Sequence, residues 1–238
     1  MTFTFKKKLV AAGRKIRFPK GLKKPYRRSA LKKRIYERFV RPVTVNLMNR
    51  YFIEKVNGLE NIPTDKPAIL AANHQSYFDF LIIPSVITNK RVHIIAAEEL
   101  ASHPFVGIYA RNDECILVDR KNPGIKFYKD SIKILKGNNL LLIFPEGTRS
   151  EDGSISPFKR AFVELARMSG AVIIPTAIKG TRDILPKGGK RIKLNKCTVA
   201  FGKPVHVDRT VADKTAKESL QQISDSIRQT VVNLMKET

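Results

Sequence analysis

Beyond residue 60 the chain alternates short apolar runs with stretches whose apolar residues recur at helical spacing, and this alternation confines it to the βα class. The runs expected as strands are Ala68–Ala72, Arg91–Ala96, Cys115–Asp119, Leu140–Phe144, Ala171–Ala177 and Thr198–Phe201. Helical spacing covers Tyr77–Ile87, Ile125–Leu135, Phe158–Met168 and Lys214–Met235, with Gly170 placed to cap the third helix. A chain of 238 residues that is 42% apolar has enough material to fill one such core. The expected fold is a single α/β domain with a mostly parallel or mixed central sheet flanked by helices.

The formal charge of +24 is unevenly spread. Residues 1–34 hold 14 Lys and Arg and no acid, and the first 50 residues carry +16 of the total. Ile35, Phe39, Val43, Leu47 and Tyr51 then recur every four residues beside Arg34, Arg38, Arg41 and Arg50, with Pro42 placed to kink or restart the helix. Residues 1–53 therefore read as a basic amphipathic arm and 54–238 as the α/β domain. Two destinations fit the arm: a helix packed on the body behind a solvated tail, or an element lying in an anionic membrane surface. No apolar run nears the roughly 18 residues of a spanning helix, and the charges at Lys6–Lys8 break any secretory signal. Cys115 and Cys197 form no disulfide framework and no metal-ligand cluster, so a reducing compartment and no metal site are expected.

Polar residues gather where strands end, which is where open α/β sheets place their sites. After Ala68–Ala72 come Asn73, His74, Gln75, Ser76, Tyr77, Phe78 and Asp79. A histidine in that turn, with an aspartate in the first turn of the next helix, has the parts of an oriented general base. Ser76-x-x-Asp79 equally reads as a capping box, in which Asp79 only tethers the helix. After Leu140–Phe144 come Pro145, Glu146, Gly147, Thr148, Arg149 and Ser150: a tight turn followed by a guanidinium suited to phosphate, or simply a polar turn with a surface arginine. Asp119-Arg120 repeats the pattern of a basic residue at a strand end.

Together these blocks resemble the glycerophospholipid acyltransferases, above all their bacterial 1-acyl-sn-glycerol-3-phosphate acyltransferase branch. His74 to Asp79 matches the family's H-x4-D block, and Phe144-Pro-Glu-Gly-Thr-Arg-Ser150 its F-P-E-G-T-R-S block. Pro104-Phe-Val-Gly107 with Asp119-Arg120 is similar to its middle block, Val172-Ile-Ile-Pro175 to its last, and Val56–Pro63 to its lead-in. The likeness covers roughly residues 54–205, in order.

The resemblance implies acyl transfer from a thioester to the free hydroxyl of lysophosphatidic acid, yielding phosphatidic acid. It gives His74 the role of general base and Asp79 that of its orienting partner, with Arg120, Glu146, Gly147, Thr148 and Arg149 binding the acceptor's glycerol phosphate. No cofactor is implied beyond the donor substrate, acyl-CoA or acyl-acyl carrier protein, and transfer is direct, with Cys115 and Ser150 the alternative nucleophiles. One departure is that Ala96-Ala97-Glu98-Glu99-Leu100 carries Ala97 where relatives commonly carry lysine. Another cation must then hold the phosphate, or the acceptor is a different lyso-lipid. A peripheral protein on the cytoplasmic face of the membrane follows, held at an anionic surface by its arm. A nucleic-acid-binding protein is the rival class, disfavoured because most excess charge sits on the arm and the body lacks a recognition motif.

Overall fold

The computed structural model of the chain describes residues 34–102, 115–119, 124–208 and 216–238. The arm through residue 33, the Pro104–Gly107 stretch and Arg120 lie outside the described residues.

The described strands are β1 (Ile53–Asn57), β2 (Ala68–Ala72), β3 (Val92–Ala97), β4 (Cys115–Val118), β5 (Leu140–Ile143), β6 (Val172–Lys179) and β7 (Cys197–Phe201). They form one sheet in the order β1-β7-β6-β2-β5-β3-β4. Only the β6–β7 pair is antiparallel, so β1 and β7 run against the other five strands and the sheet is mixed. The helices are α1 (Arg41–Tyr51), α2 (Asp79–Val86), α3 (Gly124–Lys136), α4 (Ala161–Ser169), the single turn α5 (Thr181–Ile184) and α6 (Ala216–Glu237).

β2 and β5 are buried along their whole length, as parallel strands covered on both faces must be. Side-chain alternation divides the core in two. Ala68, Leu70 and Ala72 face Met48 and Phe52 at the α1 end and Phe78 and Ile82 at α2, whereas Ile69 and Ala71 face Phe162 and Val163 of α4 and Ile227 and Val231 of α6. Gly170 caps α4 in the left-handed conformation, as expected. α2 begins at Asp79 rather than Tyr77, and α4 at Ala161 rather than Phe158, because the residues before each are held in turns that build the site.

Residues 34–53 are the described part of the arm. A π-helical turn, Tyr36–Val40, runs into α1, which restarts with Pro42 in its first turn, where a missing N–H costs no helical bond. The segment is docked on the body by Tyr36, Met48 and Phe52, by Asn49 Nδ2 donating to the Ser85 carbonyl at 3.3 Å, and by an Arg91–Glu37 ion pair. The four-residue stripe is not the docked face. Ile35, Phe39, Val43, Leu47 and Tyr51 all point outward, with Phe39 60% and Val43 57% exposed.

The sheet register decides what lies near what. The carboxyl ends of β2, β5 and β6 share an edge with the amino ends of β1 and β7, since Lys179 pairs with Thr198 and Ile53 with Cys197. Everything described below hangs from that edge.

Candidate active site

The chain leaving β2 does not enter α2 directly. Asn73 prolongs the sheet with its side chain, Nδ2 donating to the Ile178 carbonyl at 2.9 Å and Oδ1 accepting from the Ile178 N–H at 2.8 Å. His74 follows in the turn, and its Nδ1 lies 2.8 Å from Asp79 Oδ2. The same oxygen accepts the backbone N–H groups of Gln75 at 2.7 Å and Ser76 at 2.9 Å, while Oδ1 accepts the Thr181 hydroxyl at 2.5 Å. Four donors on a fully buried carboxylate fix its position. Asp79 therefore fills both roles open to it: it ties back the turn ahead of α2, and it holds the imidazole. Half of the expected capping box forms, because the Ser76 hydroxyl accepts from Phe78 N–H at 3.1 Å and donates to the Leu185 carbonyl at 2.7 Å.

An Nδ1–H directed at Asp79 places the lone pair on Nε2, the nitrogen on the far side of the ring. The ring is 4.1 Å from Phe144 in a stacked arrangement and meets Phe80 edge-on at 5.3 Å. These contacts fix its tilt and give it an apolar wall.

Strand register brings the second block to the first. Each β2 residue from Ala68 to Ala71 faces the β5 residue 72 positions on, and the offset persists past the strand ends. His74 thus meets Glu146, whose Oε1 accepts the His74 backbone N–H at 2.8 Å while Oε2 accepts that of Ser156 at 2.8 Å. The His74 carbonyl in turn accepts the Ser150 N–H at 2.8 Å. Burial pushes the Glu146 carboxyl above its ordinary value, opposed by those two backbone donors. Gly147 turns the chain at φ +75°, its N–H bonded to the Phe144 carbonyl at 3.0 Å, and a Cβ there would sit 3.0 Å from Lys159 Nζ. Any side chain at 147 would be strained and would push that ammonium aside.

Beyond the turn, Thr148 is exposed and the Arg149 guanidinium lies 3.6 Å over the Tyr77 ring, a cation–π contact that parks it beside the histidine turn. Lys159 is anchored by its own N–H donating to the Pro145 carbonyl at 3.1 Å. The Ser150 hydroxyl donates to Asp152 at 3.1 Å and accepts the Gly153 N–H, which is the bonding of a loop support. Burial pushes the thiols of Cys115 and Cys197 up to about 12, far from the thiolate a nucleophile requires.

His74, Asp79, Glu146, Gly147, Thr148 and Arg149 thus occupy two facing turns, while Arg120 is outside the described residues. Thr181 and Lys159 join them without having been singled out, and Tyr77 and Phe144, named above only as members of their blocks, gain contacts of their own. Thr181 lies 102 residues from the Asp79 it supports, and no local pattern marks such a partner. Phe144 was legible in principle, since extending the β2–β5 register sets it level with Ala72, the last residue before the histidine turn.

Known proteins resemble this chain in sequence and in fold. A family model described as Acyltransferase matches residues 54–179. The chain is 31% identical over 181 residues to a 1-acyl-sn-glycerol-3-phosphate acyltransferase of Bacillus subtilis, a match spanning 76% of this chain and 87% of that protein. A protein of the same name from Limnanthes douglasii is 34% identical over 163 residues, covering 67% of this chain and 57% of the plant protein's length. The crystal structure of the 1-acyl-sn-glycerophosphate (LPA) acyltransferase PlsC from Thermotoga maritima superposes with a TM-score of 0.66 at 26% identity, over 87% of this chain and 83% of that one.

Proposed function

The chain belongs to the acyltransferase family, and from that premise we propose that it acylates the free hydroxyl of 1-acyl-sn-glycerol-3-phosphate from a thioester donor, acyl-CoA or acyl-acyl carrier protein, to give phosphatidic acid. The observation that carries the mechanism is the His74–Asp79 pair, 2.8 Å apart, bonded through the backbone to the turn that presents Arg149.

An alcohol is a poor nucleophile near neutral pH, so the step needs a base in place as the carbon–oxygen bond forms. His74 Nε2 takes the hydroxyl proton while the oxygen attacks the thioester carbonyl, and Asp79 stabilises the imidazolium. Collapse of the tetrahedral intermediate breaks the carbon–sulfur bond, and the departing thiolate recovers the proton from His74. No acyl-enzyme is needed, and the bonding of Ser150 and the raised thiol of Cys115 both favour direct transfer.

Arg149 and Lys159 supply the charge for the acceptor's phosphate, with Thr148 at the mouth of the turn. Glu146 serves that cradle by strapping it to His74. Ala97, at the end of β3, offers only a buried methyl group, so on this reading Lys159, beside Gly147, supplies the second cation. The outward stripe on α1, beside Arg34, Arg38, Arg41 and Arg50, fits an anionic bilayer, and the arm ahead of it adds charge. No helix among the described residues is long and apolar enough to cross a membrane. A peripheral protein on the cytoplasmic face follows from this reading.

The test is a matrix of acyl-CoA and acyl-carrier-protein donors against lysophosphatidic acid and phosphate-free lyso-lipids. Phosphatidic acid should be the main product, and His74→Ala should lower kcat by about 10²–10⁴ with the fold intact by circular dichroism. Wild-type turnover in that variant would remove the base, and preference for acceptors without phosphate would remove the cradle.

A further inference from the structure

Between α5 and β7 the chain runs through Lys187-Gly-Gly-Lys-Arg-Ile-Lys-Leu-Asn-Lys196, ten consecutive exposed residues with five cations and no acid. A solvated loop of that composition has no use for large aliphatic side chains. Yet Ile192 is 49% exposed, and Leu194, at 75%, is the most exposed large apolar side chain among the described residues. They are two positions apart, as residues on one face of an extended segment are. Lys187 pairs with Glu151 at 2.8 Å, whereas Lys190, Arg191 and Lys193 form no ion pair among the described residues.

The position of this loop matters as much as its composition. Its start is wired to the catalytic turn: Leu185 accepts the Ser76 hydroxyl, and Thr181, one turn earlier, holds Asp79. Its end abuts α1, with Lys196 Nζ donating to the Arg50 carbonyl at 3.1 Å and the Cys197 N–H to the Phe52 carbonyl at 2.7 Å. Gly180 (φ +94°) lets the chain ahead of α5 pass close to the end of the loop, because a Cβ there would lie 2.5 Å from the Lys196 carbonyl oxygen. The loop therefore spans the sheet edge between His74 and the outward apolar stripe of α1.

We propose that the 187–196 loop is a second lipid-docking element: Ile192 and Leu194 enter the apolar margin of an anionic bilayer, Lys190, Arg191 and Lys193 engage its headgroups, and loop and α1 together turn the mouth of the site toward the lipid. The proposal rests on the interfacial reading above and adds to it a named insertion point. Apolar anchors framed by cations that have no ion pair among the described residues match a surface that is charged outside and hydrocarbon beneath. An acidic carrier protein would use the cations but leave Leu194 unexplained.

The chain contains no tryptophan, so Leu194→Trp makes a single-site reporter in the full-length protein. On phosphatidylglycerol–phosphatidylcholine vesicles its emission should shift to the blue and be quenched by brominated acyl chains. Ile192→Ser/Leu194→Ser should weaken vesicle binding by about 10²–10⁴-fold, the scale of withholding two aliphatic side chains from an apolar phase. Its turnover on detergent-dispersed substrate should be unchanged. Val43→Ser/Leu47→Ser on α1 is the comparison. If that variant loses binding while the Leu194→Trp reporter keeps water-like emission on vesicles, the loop inference falls and the interfacial reading stands. If wild-type protein ignores the vesicles, both fall. A reporter response to acyl carrier protein without one to vesicles would overturn lipid docking by the loop.

Discussion

The two turns that meet at the sheet edge are built on opposite plans. In the turn after β2 every group with a proposed role is buried and bonded to protein: His74 is 7% exposed, Asp79 has four donors, and Asn73 is spent on the ladder. In the turn after β5 the charges reach outward, with Arg149 half-buried against Tyr77 and Lys159 exposed across Gly147. The contrast fits the work that the proposed mechanism gives each turn. A base must keep one orientation while a proton moves, so rigidity is useful and burial tolerable once bonds are satisfied. On the same mechanism the phosphate of a lipid acceptor enters from the bilayer interface and leaves again, so its cations must stay accessible. Between the two, Glu146 belongs to the second turn by sequence and to the first by environment.

The sharpest break is at the buried turn. Asp79→Asn replaces one of the two acceptor oxygens by an amide donor and removes the charge that stabilises the imidazolium, and should lower kcat by about 10²–10⁴. Thr181→Val, which removes one donor without reversing any, should cost clearly less. Equal losses measured by steady-state kinetics would show that the carboxylate network, and not its contact with the imidazole, matters. Arg149→Ala at the exposed turn should leave kcat near wild type and raise KM for lysophosphatidic acid by about ten- to a hundredfold, the range of a lost charge-assisted hydrogen bond of about 1.5–3 kcal/mol. A fall in kcat at unchanged KM would mean that the two turns share one task.

Glu146 gives the smallest effect and tests its mixed character. Its carboxyl is raised above the ordinary 4.5, so the native state holds the proton more tightly than the unfolded chain. The stability it contributes is present in acid and lost as pH rises through the raised native value. Glu146→Gln, which stays neutral, should therefore lose less stability than wild type as pH rises from the ordinary 4.5 toward neutrality, read from urea midpoints. Comparing slopes removes the constant offset from an altered backbone contact. A steeper slope in the variant would reverse the assigned direction.

What the sequence disclosed, and what it hid, has a physical pattern. β2 and β5 were visible because strands buried on both faces are apolar throughout. β1 was not, since Ile53-Glu-Lys-Val-Asn57 is an edge strand with charged residues exposed, and its partner β7 is distant in sequence. The α1 stripe was visible as a pattern, but periodicity does not say which face meets the core; Tyr36, Met48 and Phe52 took that place and left the stripe outside. His74 and Asp79 were visible because their contact is local, at five residues' separation. Thr181 and Lys159 joined through tertiary packing, which one-dimensional spacing does not carry.

One consequence of the crossed backbone bonds remains. His74 is clasped at its N–H by Glu146 and at its carbonyl by Ser150, on either side of Arg149, so imidazole and guanidinium ride on a common rigid frame. Such a frame is a caliper. On the proposed mechanism it gauges the number of atoms between an acceptor's anionic end and its reactive oxygen, and so selects regiochemistry by length before any chemistry begins.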